Sequence, residues 1–179
     1  MALFGQNIPD RLRSRLARGE RVLAHAAVAA PAGGAPNTEG GPPVLVATTR
    51  ALHLPEGRAV PWQDIDQARW SSDDLRFIEE GYGEHTVRLR TELTGEAVDY
   101  RRMAETVAER VTSTILVNRF VPFPTPESSQ GFRLVARRAP LGSEIDWRVH
   151  LGEGLDPQDP RLSDAASRAL VLLREQMGV

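Results

Sequence analysis

Residues 44–65, reading VLVATTRALHLPEGRAVPWQDI, carry short apolar runs broken by a Thr-Thr-Arg link and a Pro-Glu-Gly turn. Each run is too short for a stable helix, and the turn residues between them supply the φ values that reverse a chain. The segment can fold only by laying successive strands side by side, as a tight β-meander. The run 44–47 is continuously apolar, as expected of a strand covered on both faces. In the next strand Leu52 and Leu54 share one face and His53 takes the other. The pattern persists downstream: Ala68 and Trp70 fall on a common side, Leu75 and Phe77 alternate with Arg76, and Val87 and Leu89 alternate with Arg88 and Arg90. Strands this closely spaced, with no helix between them, predict an antiparallel sheet or barrel.

The remainder of the chain is organised around that set. Ile8, Leu12 and Leu16 recur at helical spacing, with Pro9 near the start and Gly19 as a stop, so residues 1–19 are expected to form an N-terminal helix. Residues 20–30 read as a small-residue strand, and 31–43 (PAGGAPNTEGGPP) as a long loop unable to bury a core. Across 97–118, Tyr100, Met103, Ala104, Val107, Val111 and Ile115 form one apolar stripe, which predicts a helix closing the strand set. The β-branched run 112–117 leaves open whether 114–123 ends that helix or begins a strand.

Further on, Phe132, Leu134 and Ala136 alternate with Arg133, Val135 and Arg137. After a Pro-Leu-Gly-Ser turn, Ile145, Trp147, Val149 and Leu151 alternate with Asp146, Arg148 and His150. These predict a β-hairpin in which Arg137 lies opposite Asp146. Asp159 and Pro160 supply an N-cap and first position for a last helix, with Leu162, Ala166, Ala169, Leu170, Leu173 and Met177 on its apolar stripe and Gly178 at its end. A two-stranded hairpin is marginal alone. Its apolar face must therefore rest on the barrel, on its own helix or on a second subunit.

The sequence of events Val44-Leu-Val-Ala-Thr48, Leu52-His-Leu54 and Pro61-Trp-Gln-Asp-Ile65 resembles the core of bacterial PH-like and GRAM-like domains. The whole chain also looks like uncharacterised actinobacterial proteins of this layout. The resemblance covers about residues 20–118 and implies an α+β fold: a PH-like antiparallel β-barrel or strongly bent sheet capped by a C-terminal helix. Residues 119–179 then add a β-hairpin plus helix packed on it. It also implies a binding scaffold and not an enzyme, with no cofactor. Eukaryotic relatives that bind phosphoinositides use a basic loop between the first two strands. Here that loop, 31–43, has no arginine, which argues against phosphoinositide recognition.

All 22 basic residues are arginine, against 24 acidic ones, for a net charge of −2. The bias accompanies abundant Ala, Gly and Pro and fits a GC-rich coding sequence. With no cysteine, disulfides and thiolate chemistry are excluded, and no apolar run nears the ~20 residues of a membrane span. The N-terminus lacks the basic start and apolar core of a secretory signal. A cytoplasmic location is the expectation.

Chemistry-bearing clusters are few. His25, His53, His85 and His150 show no metal-ligand spacing and read as half-buried strand histidines; no metal site is expected. The carboxylate pairs Asp73-Asp74 and Glu79-Glu80 read as solvated strand ends. Trp62, Trp70 and Trp147 read as core anchors, with Trp62 plugging one barrel end. Two arginine sets offer an anion or partner surface: Arg11, Arg15 and Arg18 on the first helix, and Arg133, Arg137, Arg138 and Arg148 on the hairpin's polar face. Within 131–179 seven arginines meet seven acids, a balance that weakens a nucleic-acid reading. The functional expectation is a protein-binding or self-associating module. The alternative is an arginine-mediated adaptor for phosphate or for nucleic acid such as RNA or the ribosome.

Overall fold

A computed structural model describes residues 16–30, 43–90, 92–93, 96–97 and 100–178. The chain is α+β, with antiparallel sheets and two α-helices among the described residues. It divides into two compact units, residues 1–114 with 139–141, and residues 115–138 with 142–179. The predicted N-terminal helix, with Arg11 and Arg15, and the loop 31–42 lie outside the described residues. Within them, Leu16 to Gly19 forms a bend and turn and not a helical end.

In the first unit β1 (Val22–Ala27), β2 (Val44–Thr48), β3 (Ala51–His53) and β4 (Ala59–Pro61) form one sheet in sequence order. β5 (Ile65–Trp70), β6 (Asp74–Glu79) and β7 (Gly83–Arg88) form a second. A ribbon of β8 (Glu92–Leu93) and β9 (Glu96–Ala97) precedes α1 (Arg101–Ser113). On one side the sheets are joined where β1 runs on, Val28 bridging Leu89 and the Ala29 N–H donating to the Arg88 carbonyl at 3.0 Å. On the other, β4 passes into β5 through a 3-10 turn, Trp62–Asp64, with no ladder between them. Of the barrel or strongly bent sheet expected, no closed barrel forms: at this corner the buried Trp62, bonded to the Thr48 carbonyl, stands between β4 and β5.

Inward phase explains the core. Leu75 and Phe77 of β6, Val87 of β7, Leu45 and Ala47 of β2, and Leu52 of β3 are buried together with Met103, Val107 and Val111 of α1. Tyr100 fixes the start of α1: its hydroxyl donates to the Ala27 carbonyl at 2.6 Å and accepts the Arg90 N–H at 2.8 Å. The helix ends at Ser113, earlier than the stripe suggested, because the β-branched run that follows turns extended.

The second unit has three strands, not the expected two. β10 (Ile115–Pro122), β11 (Gly131–Arg138) and β12 (Ile145–Leu151) pair in order, and Arg137 lies opposite Asp146 as the turn predicted. The α2 helix (Pro160–Met177) starts on Asp159, whose side chain accepts the Arg161 N–H, and stops at Gly178 with φ 71°. Phe132 and Leu134 bury against Leu162, flanked by Ala166, Ala169, Leu170 and Leu173. The apolar face of the hairpin therefore rests on its own helix.

Two buried carboxylates clamp the first unit. Glu79 shares the inward phase of Leu75 and Phe77 and is only 4% exposed, which overturns its reading as a solvated strand end. Arg58, on the β3–β4 turn, binds it bidentately at 2.7 and 2.6 Å, and His85 adds a contact at 2.8 Å. The Arg58 guanidinium holds the Glu79 carboxyl below the ordinary value of 4.5, against the upward push of burial. For Glu20, burial pushes the carboxyl up, yet bonds from the Thr48 hydroxyl, His53 and the Ala17 N–H outweigh it and leave it lowered. Both folded values lie below the unfolded one. Their stabilisation is thus complete above pH 4.5 and is lost as pH falls through the depressed values. Substitution Arg58→Met should destabilise by about 1–3 kcal/mol at pH 7, reduced from a fully buried pair because Arg58 is partly solvated. In urea denaturation, Glu79→Gln should flatten the loss of stability as pH falls below 4.5.

Candidate functional site: the outer face of the second sheet

Period two sends Gln67 and Arg69 of β5, Asp74, Arg76 and Ile78 of β6, and Glu84, Thr86 and Arg88 of β7 to the face opposite the core. The ladder sets them in rows: Arg69 opposite Arg76 opposite Thr86, Gln67 opposite Ile78 opposite Glu84, and Asp74 opposite Arg88. Like charges directly opposed across an antiparallel pair are destabilising by about 0.2–1 kcal/mol. At Arg69 and Arg76 that cost is eased but not removed, because Arg76 is paired with Asp74.

A cleft of about 310 Å³ opens over these rows, lined by Gln67, Arg69, Trp70, Ser71, Asp74, Arg76, Phe77, Ile78 and Glu84. Arg76 is oriented by Asp74, donating from Nε and Nη2 at 3.2 and 3.0 Å. Asp74 is itself fixed by the Ser71 hydroxyl at 3.0 Å. Among the described residues Arg69 bonds Gln67, at 3.4 Å. The Asp74 carboxyl is held low by Arg76 first and Ser71 second. Apolar surface lies beside the charges at Ile78, which is 38% exposed, while Trp70 at the cleft's edge turns its ring toward Tyr100 and the core. The cleft thus offers two guanidinium groups, two carboxylates, an amide and an apolar floor.

Of the arginines singled out from the sequence, Arg11 and Arg15 lie outside the described residues, and the four hairpin arginines do not share one exposed face. Arg18 sits exposed in the turn before β1, where its carbonyl accepts from Arg50 at 3.4 Å. Arg137 and Arg148 are buried, at 2% and 9% exposure, and Arg148 donates from Nε to Asp146 at 2.7 Å. Arg138 follows Arg137 directly, so its side chain takes the opposite face, with Ala136. Arg133 is exposed, bonded to Asn118 at 3.1 Å and spread over the Phe120 ring. A hairpin face carrying four exposed arginines is therefore not what the fold builds.

Among the histidines, His25, His85 and His150 are half-buried as expected, whereas His53 is buried. His53 is buried and meets Glu20 at 2.9 Å, whereas His85 stacks on Phe77 with 4.8 Å between centroids and meets Glu79. His25 is half-buried, and desolvation together with nearby Arg102 lowers its pKa. Trp62 is fully buried as expected, while Trp147 is half-buried beneath Arg174 at 5.7 Å. Arg69 and Arg76 were missed because their opposition exists only in the register. The available signal was the even spacing of Gln67, Arg69, Arg76 and Ile78 on the non-core phase of two adjacent strands.

No protein-family model matches this sequence, and neither a curated protein nor a solved structure does. Among the described residues no helix is long and apolar enough to cross a membrane. Replacing Arg69 by Thr removes the like-charge opposition and adds a strand-favouring side chain. The variant should gain about 0.5 kcal/mol of stability, read as a raised urea midpoint at unchanged slope.

Proposed function

We propose that this chain is a non-enzymatic binding module on a PH-like scaffold. In this reading it takes a short protein segment into the cleft on the outer face of β5, β6 and β7. The observation that carries it is the opposition of Arg69 and Arg76 beside exposed Ile78. A segment carrying a carboxylate next to an apolar side chain relieves the repulsion and covers the floor at once. The carboxylates of Asp74 and Glu84 weigh against a bare phosphate or a nucleic-acid backbone, because they nearly cancel the local positive charge. A protein segment of mixed character fits them, since Glu84 can face a cation of the same partner. The four-strand sheet, three-strand sheet and following helix support the PH-like assignment. The consumption of Glu20, His53, Glu79 and His85 in internal clamps supports a scaffold role.

The test is affinity capture from native lysate with mass spectrometry, comparing wild type with the double variant Arg69→Ala/Arg76→Ala. A partner retained by wild type and lost by the variant, with the variant's circular dichroism unchanged, is the expected result. A partner kept by both proteins moves the site elsewhere. Retention of nucleic acid with a steep fall as salt rises would favour the phosphate reading instead.

A further inference from the structure

Apart from that cleft, the second unit carries a sheet edge without bulge or proline among the described residues. Among the described residues β12 pairs with β11 alone, over an unbroken register of seven residue pairs with no bulge. Edge strands are ordinarily blunted by proline, bulges or outward charge. The opposite edge has such features: β10 shifts register between Ile115 and Val117 and ends on Pro122. β12 has neither, and along the face it shares with α2 it reads Ile145, Trp147, Val149 and Leu151. Val149 and Leu151 are 45% and 38% exposed, and on α2 Val171 and Leu172 are 55% and 58% exposed. Arg174 lies over the Trp147 ring, so that side of α2 turns toward β12, and Val171 lies one turn earlier on the same side.

The strand is also complementary to itself. Paired antiparallel with its own copy about Arg148, Ile145 falls opposite Leu151, Asp146 opposite His150, and Trp147 opposite Val149. Every apolar residue then meets an apolar one, and an acid meets an imidazole on the other face. Arg148 meets Arg148 on the axis, a like-charge opposition costing about 0.2–1 kcal/mol, eased because each is bonded to its own Asp146. A two-fold perpendicular to the sheet keeps both α2 helices on one side of a six-stranded sheet, where the Val171 and Leu172 surfaces can approach.

We propose that β12 is a homodimerisation edge, with a second copy of this chain adding its β12 antiparallel to form a continuous sheet. The proposal is independent of the cleft, which lies on other strands in the first unit.

Light scattering and sedimentation of the full chain should give twice the chain mass at concentrations near 100 µM. The variant Val149→Lys/Leu151→Lys should give a single chain mass with the same circular dichroism. The absence of cysteine in the native chain allows a register test. Ile145→Cys and Leu151→Cys proteins, mixed and oxidised, should form a disulfide between unlike chains. Each alone should not, because like positions sit about 20 Å apart. A wild-type monomer at that concentration overturns the proposal. So does a dimer that survives the two lysines, or a mixed disulfide no more abundant than the like-chain ones. Because Ile145→Cys and Leu151→Cys are mild changes at strand ends, failure of the lysine variant to fold leaves the disulfide result decisive.

Discussion

The first unit depends on the hydrogen bonds that Thr48 makes. Its carbonyl accepts the Trp62 indole N–H at 2.9 Å, and its hydroxyl bonds to Glu20 while accepting the Ala51 N–H at 3.0 Å. Glu20 in turn holds His53 and the Ala17 N–H. One buried threonine thereby ties the chain before β1, the β2–β3 link and the corner between β4 and β5. A buried donor or acceptor left without its partner costs about 1–3 kcal/mol, so these groups depend on one another. At this corner the buried indole of Trp62 sits in the turn that joins the two sheets.

Arg58 and Glu79 do similar work at a different place. They join the β3–β4 turn to the end of β6, where no backbone ladder connects the sheets. A bidentate guanidinium can bridge such a gap because its fork matches a carboxylate, and His85 fills a further position on the same oxygen. With the buried titratable groups engaged in this way, the outer face of β5 to β7 is left as the place where charge is arranged against its own stability.

Much of the architecture was legible in period-two alternation. The phase of Leu75, Phe77 and Val87 identified the core side of β6 and β7, and the turn at 139–143 set Arg137 against Asp146. Asp159, Pro160 and Gly178 marked both ends of the last helix. The burial of Glu79 was legible in principle from the same phase, but acidity outweighed position in reading it. The third strand of the second unit was not legible, since 115–122 continues a helical stripe and a β-branched run together. Nor was the scattering of the hairpin arginines: adjacent Arg137 and Arg138 must take opposite faces, and what buries Arg137 and Arg148 is not written in their neighbours.

By itself the sequence determined which segments alternate, where turns and caps fall, and which chemistry was excluded by the lack of cysteine. Those features are local, because they follow from φ preferences, side-chain period and composition. Only the tertiary structure decided that Arg69 lies opposite Arg76, that Glu79 is clamped, and that β12 stands at the end of its sheet among the described residues. These are relations between residues far apart along the chain or on different strands. They are fixed by register and packing, to which no single segment has access.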